Sequence, residues 1–518
     1  MTIQVENEAV PRLAHTKFRM LIGGRFIDAE NGAVAETINP STGEVLAEIP
    51  QASPADVQKA VEAAKFAQAD WQALSVGERS RCFARFDELL EENSDRLAEI
   101  DSLDSGNPIG AMRLDVRLAR DYVRGWPGLA QSLRGEVIPA SPGNLHYTRD
   151  VPYGVVGRIT AFNHPLMFAA TRPLPSLITG NTLVMKPAPQ TSLSTLVLAE
   201  LFDEAFPPGV VNIVSGGADA GDAIVTNKAI KRIAFTGSTT TGLLIQRRAA
   251  ESGTVKHISL ELGGKNAMVI FPDVDIATVV DAAIFGMNFT VCQGQSCGSN
   301  SRVLVHRKIY DEFVQRAADA LRTLRVGIAT DETTDMGPVV SSAQLKRVND
   351  FLQAGVDDKA SLVTGGDRPV GTPSGGYFIN PAMFADVHAG MRIAREEIFG
   401  PIMSVMVWDD YDEMIELANG VDLGLTASVW TNSLSIAHKT AEYLDAGYVW
   451  INDSTRHYFG TPFGGMKNSG IGREESIDEL RSFMESKVVH TSLSDPKAAL
   501  HTMLEQGRLL SAAKVASA

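Results

Sequence analysis

The chain is poor in cysteine and has no long apolar run. Its three cysteines among 518 residues, Cys82, Cys292 and Cys297, cannot form a disulfide framework, which favours a reducing compartment and a cytoplasmic location. No stretch of about 18 apolar residues occurs, so no membrane span is expected. The polar segment 1–20 lacks the apolar core of a signal peptide and is predicted to be a flexible arm.

Positive charge and metal-ligand patterns are also scarce. Lysine and arginine total 47 against 62 acidic residues, and the net charge of −15 disfavours a general nucleic-acid binder. The cysteine and histidine residues show no ligand spacing, so no metal site is expected. A hydrophobic fraction of 44% argues against wholesale disorder. A soluble multi-domain protein remains as the expected class, at about 150 residues per domain.

The order of strand-like and helix-like segments predicts an α/β fold. Short strands near 20–47 precede helical periodicity that begins at Pro54. Five β-branched segments then alternate with helical ones, which predicts a Rossmann-like, doubly wound and mostly parallel sheet. These five segments are 154–162, 181–186, 210–215, 231–237 and 257–262. Such sheets bind ligands at the carboxyl ends of their strands.

After Gly263-Gly264 the alternation starts again and predicts a second α/β domain. Its predicted strands are 267–271, 301–306, 404–409, 428–432 and 448–453. A final alternating segment, 486–493, has no helix after it, and we expect it to pair with another part of the chain or with another subunit. The tail 494–518 is predicted to be a loosely packed helix.

One cysteine, in Gly294-Gln-Ser-Cys297-Gly298, is the sharpest chemical signal. A thiolate on such a tight loop could attack an electrophilic carbon, although a small buried side chain is the alternative interpretation. Cys292, five residues earlier, is a rival nucleophile. Cys82 lies on an apolar helical face and is predicted to belong to the core.

Four features at the ends of predicted strands could complete a site around the thiol. Glu261 could be a general base or form a salt bridge, and the Asn163 amide could donate to an oxyanion. The segment 237–242 could hold a pyrophosphate or be a plain turn. Lys186 could bind ribose hydroxyls or a 2′-phosphate, or be solvated. Together they suit covalent oxidation of a carbonyl carbon with hydride transfer.

Ten motifs in order make the chain resemble the NAD(P)-dependent aldehyde dehydrogenase superfamily over roughly residues 20–493. They are GGRF, NPSTGE, DSGNP, FNHP, KPAPQTS, FTGST, LELGGK, GQSC, EEIFGP and PFGGMKNSGIGRE. The resemblance implies a cofactor domain, a catalytic domain and a small β oligomerisation element that makes homodimers or homotetramers. The cofactor domain is expected at 1–139 and 153–262, and the catalytic domain at 263–475. The oligomerisation element is expected at 140–152 and 476–493, which leaves 494–518 as the tail.

The resemblance also implies roles for individual residues. Cys297 would attack the aldehyde to form a thiohemiacetal and then a thioester, with Asn163 and the Cys297 main-chain N–H holding the oxyanion. Glu261 would activate the water that releases the acid, and Glu474 of the GRE motif would join this catalytic set. The cofactor, NAD or NADP, would contact seven residues. They are Thr160, Phe162, Lys186, Gly237, Ser238, Glu397 and Phe399.

Three positions depart from the family pattern or bear on specificity. Pro189 stands where an acid normally repels a 2′-phosphate, so the choice between NAD and NADP is open. Arg172 replaces a lysine often thought to relay protons, and because arginine keeps its proton we expect an Arg172–Glu474 ion pair. Arg456, in the predicted substrate loop, could meet an anionic aldehyde or face solvent.

Two other functions remain as alternatives. A coenzyme A-acylating semialdehyde dehydrogenase would commonly lack Glu261, which is present here. A catalytically silent relative would usually have lost Cys297 or Glu261, and both are present.

Overall fold

The computed structural model describes residues 16–493 together with Leu13, Lys497, His501 and 503–508. Most of the predicted N-terminal arm and much of the predicted tail therefore lie outside the described residues. The tail residues 503–508 are helical and exposed. Among the residues described, no helix combines the length and the apolar character needed to cross a bilayer.

Helices and strands alternate along most of the chain. The strands are β1 Met20–Ile22, β2 Arg25–Ile27, β3 Val34–Ile38, β4 Val45–Pro50, β5 Asn144–Pro152, β6 Val155–Ile159, β7 Thr182–Lys186, β8 Val211–Ile213, β9 Ile230–Thr236, β10 His257–Glu261, β11 Ala267–Ile270, β12 Arg302–His306, β13 Ser361–Thr364, β14 Ala382–Ala385, β15 Ile402–Trp408, β16 Leu423–Gly424, β17 Thr426–Trp430, β18 Tyr448–Ile451, β19 Met466–Lys467, β20 Gly470–Ile471 and β21 Met484–Ser492. The helices are α1 Pro54–Ala73, α2 Val76–Glu92, α3 Ser94–Ser105, α4 Ile109–Ala130, α5 Pro165–Thr171, α6 Leu174–Ile178, α7 Leu193–Ala205, α8 Ala218–Thr226, α9 Thr239–Glu251, α10 Ile276–Gly286, α11 Phe289–Cys292, α12 Arg307–Arg322, α13 Ser342–Asp357, α14 Arg392–Arg395, α15 Tyr411–Asn419, α16 Leu434–Tyr443 and α17 Ile477–Ser482.

The first large sheet has eight strands in the order β2-β1-β8-β7-β6-β9-β10-β20. Its five central strands, β8, β7, β6, β9 and β10, run parallel. They are the five segments predicted from the sequence, so the doubly wound sheet is confirmed. The strand order reverses between β6 and β9, and ligands bind beside such a reversal in open α/β sheets.

The second large sheet has seven strands in the order β13-β14-β15-β12-β11-β17-β18. Neighbouring strands run parallel except at one edge, where β13 runs antiparallel to β14. The five strands predicted here are present, and β13, β14 and α13 are additional elements. The Rossmann-like sheet and the second α/β sheet confirm the predicted fold class, while the predicted domain boundaries stay predictions.

Helix starts follow local side-chain chemistry. Ser53 and Asp56 form a reciprocal capping box at α1, in which the Ser53 hydroxyl accepts from Asp56 N at 3.2 Å. Helix α7 begins at Leu193 after the N-cap residue Ser192, whose side chain makes no capping hydrogen bond. Ser238 caps α9, which places the start of that helix immediately after β9.

The final predicted strand pairs with another part of the same chain. Strand β21 runs antiparallel to β5 over nine residue pairs, from Met484↔Pro152 to Ser492↔Asn144. Val488 on β21 is 61% exposed and Leu145 on β5 is also exposed. This two-stranded ribbon therefore presents apolar side chains to its surroundings.

Candidate active site

A cavity of about 1010 Å³ opens at the carboxyl ends of β6, β7, β9 and β10. It is lined by all seven predicted cofactor residues and by three of the four predicted catalytic residues. These are Thr160, Phe162, Lys186, Gly237, Ser238, Glu397 and Phe399 with Asn163, Glu261 and Cys297. The fourth predicted catalytic residue, Glu474, is not among the lining residues.

Cys297 and Glu261 interact at this cavity. Burial raises the pKa of the Glu261 carboxyl to about 8, and the negative charge of Glu474 adds to the rise. Burial also raises the pKa of the Cys297 thiol well above its ordinary value, and the Glu261 carboxylate adds to that rise. Oε1 of Glu261 has no hydrogen-bond partner among the described residues. A thiol that holds its proton thus lies beside a carboxylate that can accept one near neutral pH.

The backbone around Cys297 is held by contacts from the segment after β10. Nδ2 of Asn266 donates to the carbonyl oxygens of Cys297 at 2.7 Å and Ser299 at 2.8 Å. A Cβ atom at Gly264 would lie 2.3 Å from the Cys297 oxygen, so this close approach requires glycine. Sequence reasoning missed Asn266, and its position directly after LELGGK was the signal available.

The other two cysteines lie elsewhere. Cys292 is fully buried at the end of α11 and does not line the cavity. Cys82 is half-buried on α2 and packs against the hydrophobic core around Phe83 and Phe86. Cys297 is the cysteine that lines the cavity.

One side of the cavity offers a cation and a helix start. Nζ of Lys186 donates to the carbonyl oxygens of Pro187 and Gly216, each at 2.8 Å, and burial lowers its pKa to about 8. The solvated alternative for Lys186 is therefore wrong. Ser238 Oγ accepts from Thr241 N at 3.2 Å, and a Cβ at Gly237 would lie 2.5 Å from the Phe235 ring. The start of α9 thus faces the cavity with backbone groups suited to phosphate oxygens.

The cavity lining also includes a carboxylate and aromatic rings. Oε1 of Glu397 accepts from Gly264 N at 2.9 Å, and burial raises its pKa to about 7. Phe399 adopts φ +59°, a left-handed backbone conformation, and its ring meets Phe162 edge-to-face at 5.4 Å. The Lys186 ammonium and the Glu397 carboxylate fit the sugar hydroxyls of a dinucleotide, and the start of α9 fits its phosphates.

Glu474 lies beside the cavity residues in a buried ion-pair network. Its Oε1 accepts from Arg158 Nη2 at 2.8 Å, and its Oε2 lies 3.2 Å from Arg172 Nη1. Although burial would raise the pKa of Glu474, Arg172 and Arg158 together lower it. The Arg172–Glu474 ion pair predicted from the sequence is present, whereas Arg158 was not predicted to take part.

The predicted substrate loop is anchored by aromatic contacts and by a histidine. The Arg456 side chain is 65% exposed, with Nε 3.6 Å from Asp453 Oδ1, so the solvent-facing alternative holds for it. His457 Nδ1 lies 3.1 Å from Glu475 Oε2. The Phe459 ring meets Trp126 edge-on at 4.9 Å.

Comparison with known proteins shows the family of the chain. The model of the aldehyde dehydrogenase family matches residues 26–489. The chain belongs to the aldehyde dehydrogenase family. The enzyme is 45% identical over 466 residues to aldehyde dehydrogenase tropH of Talaromyces stipitatus, which covers 88% of this chain and 90% of that protein. The predicted family and enzyme class are thus confirmed, and the enzyme oxidises aldehydes with NAD or NADP.

Solved aldehyde dehydrogenases share the fold over nearly the whole chain. The NAD⁺ complex of aldehyde dehydrogenase from Bacillus cereus superposes with a TM-score of 0.90 at 39% identity, covering 94% of this chain and 99% of that one. Betaine aldehyde dehydrogenase from Staphylococcus aureus, in complex with NAD⁺, gives a TM-score of 0.90 at 32% identity, covering 94% of this chain and 97% of that one.

Proposed function

We propose that the enzyme oxidises its aldehyde through a covalent bond to Cys297 and releases a carboxylic acid by hydrolysis. The observation that carries this proposal is that Cys297 and Glu261 line the same cavity as the residues expected to hold the dinucleotide. The silent-relative alternative is not supported by such a cavity.

The first step is attack of the Cys297 sulfur on the carbonyl carbon. A carbon–sulfur bond forms, the carbonyl oxygen takes the electron pair, and the thiol proton leaves to the neighbouring Glu261 carboxylate. The Asn163 amide and the main-chain N–H of Cys297 donate to the oxygen, which lowers the energy of the charge that develops there. The product of this step is a thiohemiacetal on Cys297.

The chemistry that NAD or NADP supplies when bound in this cavity is acceptance of a hydride, which leaves a thioester on Cys297. Lys186 and Glu397 would hold its sugar hydroxyls, and Ser238 at the start of α9 would contact its phosphates. Pro189 lines the same cavity and carries no charge, so no acid at this position repels the 2′-phosphate of NADP.

Hydrolysis of the thioester then depends on Glu261. Once Glu261 has released the thiol proton to solvent, its carboxylate takes a proton from water and the water oxygen attacks the thioester carbon. The carbon–sulfur bond breaks as the product acid forms, and the Cys297 sulfur recovers a proton from Glu261. A pKa of about 8 suits this exchange because the group can both accept and return a proton near neutral pH. A base in this position supports release of an acid rather than transfer to coenzyme A.

The assembly and location are proposed on separate grounds. The exposed apolar residues of the β5–β21 ribbon support a homodimer or homotetramer in which this ribbon meets another subunit.

The three unpaired cysteines support a cytoplasmic location.

Paired cysteine variants test the proposal. Cys297→Ala should abolish formation of reduced cofactor from aldehyde, whereas Cys292→Ala should largely keep it. Absorbance of the reduced nicotinamide measures both, and intact dinucleotide binding in Cys297→Ala shows that the cavity is preserved. The reverse pattern would move the nucleophile to Cys292.

A further inference from the structure

A buried ion pair lies next to Asn163 and has no part in the steps above. His164 follows Asn163 in the chain, and its Nδ1 lies 2.7 Å from Oδ2 of Asp115 on α4. The two side chains are only 14% and 3% exposed. Two other groups face the pair: Cys292 on α11 interacts with the His164 ring, and Asp101 on α3 faces Asp115.

The Asp115 carboxylate favours the protonated form of His164. Burial by itself would lower the pKa of the His164 imidazole, but the Asp115 carboxylate overcomes it and raises the pKa well above the ordinary value. Burying two charges is costly unless they are paired, so each group depends on the other. The pair therefore behaves as one unit that joins α4 to the turn after β6.

The same turn is tied to the polypeptide around α4 at a second, adjacent point. The carbonyl oxygen of Asn163 accepts from Nδ2 of Asn107, just before α4, at 2.9 Å. His164 is the N-cap residue of α5, yet its side chain makes no capping hydrogen bond. A capping role at the start of α5 therefore does not explain why the His164 ring contacts Asp115.

The ring of His164 also lies against the segment that leads into Cys297. Cys292, which interacts with the ring, ends α11, and its carbonyl oxygen accepts from Gln295 N at 2.8 Å. Gln295 lies two residues before Cys297 in the chain. The His164 side chain therefore connects the turn that carries Asn163 to the loop that leads to Cys297.

We propose that the Asp115–His164 pair is a positioning device that holds the Asn163 amide in place for the oxyanion formed on attack by Cys297. The inference rests on the oxyanion role given to Asn163 in the proposed function. Loss of one oxyanion donor typically costs about 10²–10³-fold in rate, and a shift of about 1 Å costs about 10²-fold. His164 and Asp115 act through Asn163 and do not touch the reacting atoms.

A double-mutant cycle tests this inference. The measured quantity is the rate of the pre-steady-state burst of reduced cofactor, which reports formation of the thioester. We expect His164→Gln to slow the burst about tenfold or more while leaving the dissociation constant of NAD unchanged. In an Asn163→Ala background the same change should have no further effect. His388→Gln, at an exposed histidine of the second α/β part, should leave the burst unchanged.

A second variant and a titration provide evidence that does not depend on turnover. Asp115→Asn keeps the size of the side chain but removes the charge, so the pKa of His164 should fall because burial is then unopposed. NMR of carbon-13-labelled histidine, with the signal assigned through His164→Gln, measures this pKa in the enzyme without ligands. The burst rate of Asp115→Asn should fall as in His164→Gln, and it serves as the test if His164→Gln does not fold.

Three outcomes would overturn the inference. A normal burst in His164→Gln and Asp115→Asn, with a slow burst in Asn163→Ala, would overturn the positioning role alone. Losses that multiply in the double variant would mean that His164 acts independently of Asn163. A normal burst in Asn163→Ala would instead overturn the oxyanion role in the proposed function, and this inference with it.

Discussion

Nη1 of Arg172 lies 3.2 Å from Oε2 of Glu474, while Nη2 of the same guanidinium lies 3.2 Å from Oε1 of Glu475. Arg158 takes the other oxygen of Glu474, so this buried carboxylate lies between two guanidinium groups. Arginine does not give up its proton in proteins. Glu474 therefore cannot pass a proton through Arg172, and its effect on Glu261 is electrostatic.

Glu474→Gln should move the pH dependence of hydrolysis. Removal of the Glu474 charge lowers the pKa of Glu261, which is about 8 in the native enzyme. Glu261 works as a base only when ionised, so the rising limb of the rate of thioester hydrolysis should shift to lower pH, by about one unit. Single-turnover rates measured from pH 6 to 10 test this, and an unmoved limb would contradict the electrostatic role.

The same variant should be less stable, because Arg158 and Arg172 lose the carboxylate between them. Breaking a buried ion pair costs about 3–5 kcal/mol. Glu204→Gln is the matched control, since Glu204 forms an exposed pair with Arg85, and such pairs contribute about 1 kcal/mol or less. Denaturant unfolding of the two variants should differ clearly, and equal losses would mean that the network adds no stability.

Gly264→Ala should reduce activity by at least about tenfold, because the new Cβ would lie 2.3 Å from the Cys297 oxygen and displace the loop. Gly110→Ala on α4 is the control, since a Cβ there meets no atom within 4 Å. Steady-state kinetics with one aldehyde compare the two. Full activity in Gly264→Ala would show that the position of this loop is not critical.

Pro189→Glu should shift cofactor preference toward NAD. A carboxylate at this exposed cavity position repels a 2′-phosphate, so KM for NADP should rise roughly fivefold to tenfold. Pro189→Gln has a similar size without the charge and should change the NADP/NAD ratio much less. An unchanged ratio in Pro189→Glu would remove this explanation of cofactor choice.

Val488→Glu should weaken the proposed assembly. The substitution places a charge at an exposed apolar position of β21, which would have to be buried against another subunit. Sedimentation velocity should show a smaller species for the variant than for the native enzyme at equal concentration. Lys487→Glu, one residue earlier on β21, tests whether charge alone has this effect.

The parallel sheet and its ligand edge were accessible from the sequence because their signals are local. Strands β6 to β10 are short apolar runs, and a polar residue at the end of a strand, or within four residues after it, marks the cavity edge, as for Lys186, Glu261 and Asn163. The family motifs then supplied cavity residues that follow no strand of the first sheet, such as Glu397 and Phe399.

Contacts between distant segments were not accessible. Arg158 is the penultimate residue of β6, and its partner Glu474 is 316 residues away, so no local pattern indicates a buried guanidinium. The partner of His164, Asp115, is 49 residues away on another helix. Strand β20 has only two residues, too few for a periodic pattern.

Trapping the covalent intermediate tests the central claim most directly. Glu261→Gln removes both the base for hydrolysis and the acceptor of the thiol proton, so attack should slow as well and the mixing time with aldehyde and NAD is extended. Acid quench should then leave a thioester, because hydrolysis still lacks its base. Peptide mass spectrometry should find the acyl group on Cys297, with one reduced cofactor formed per site. Normal turnover without an adduct, or an acyl group on Cys292, would contradict the account.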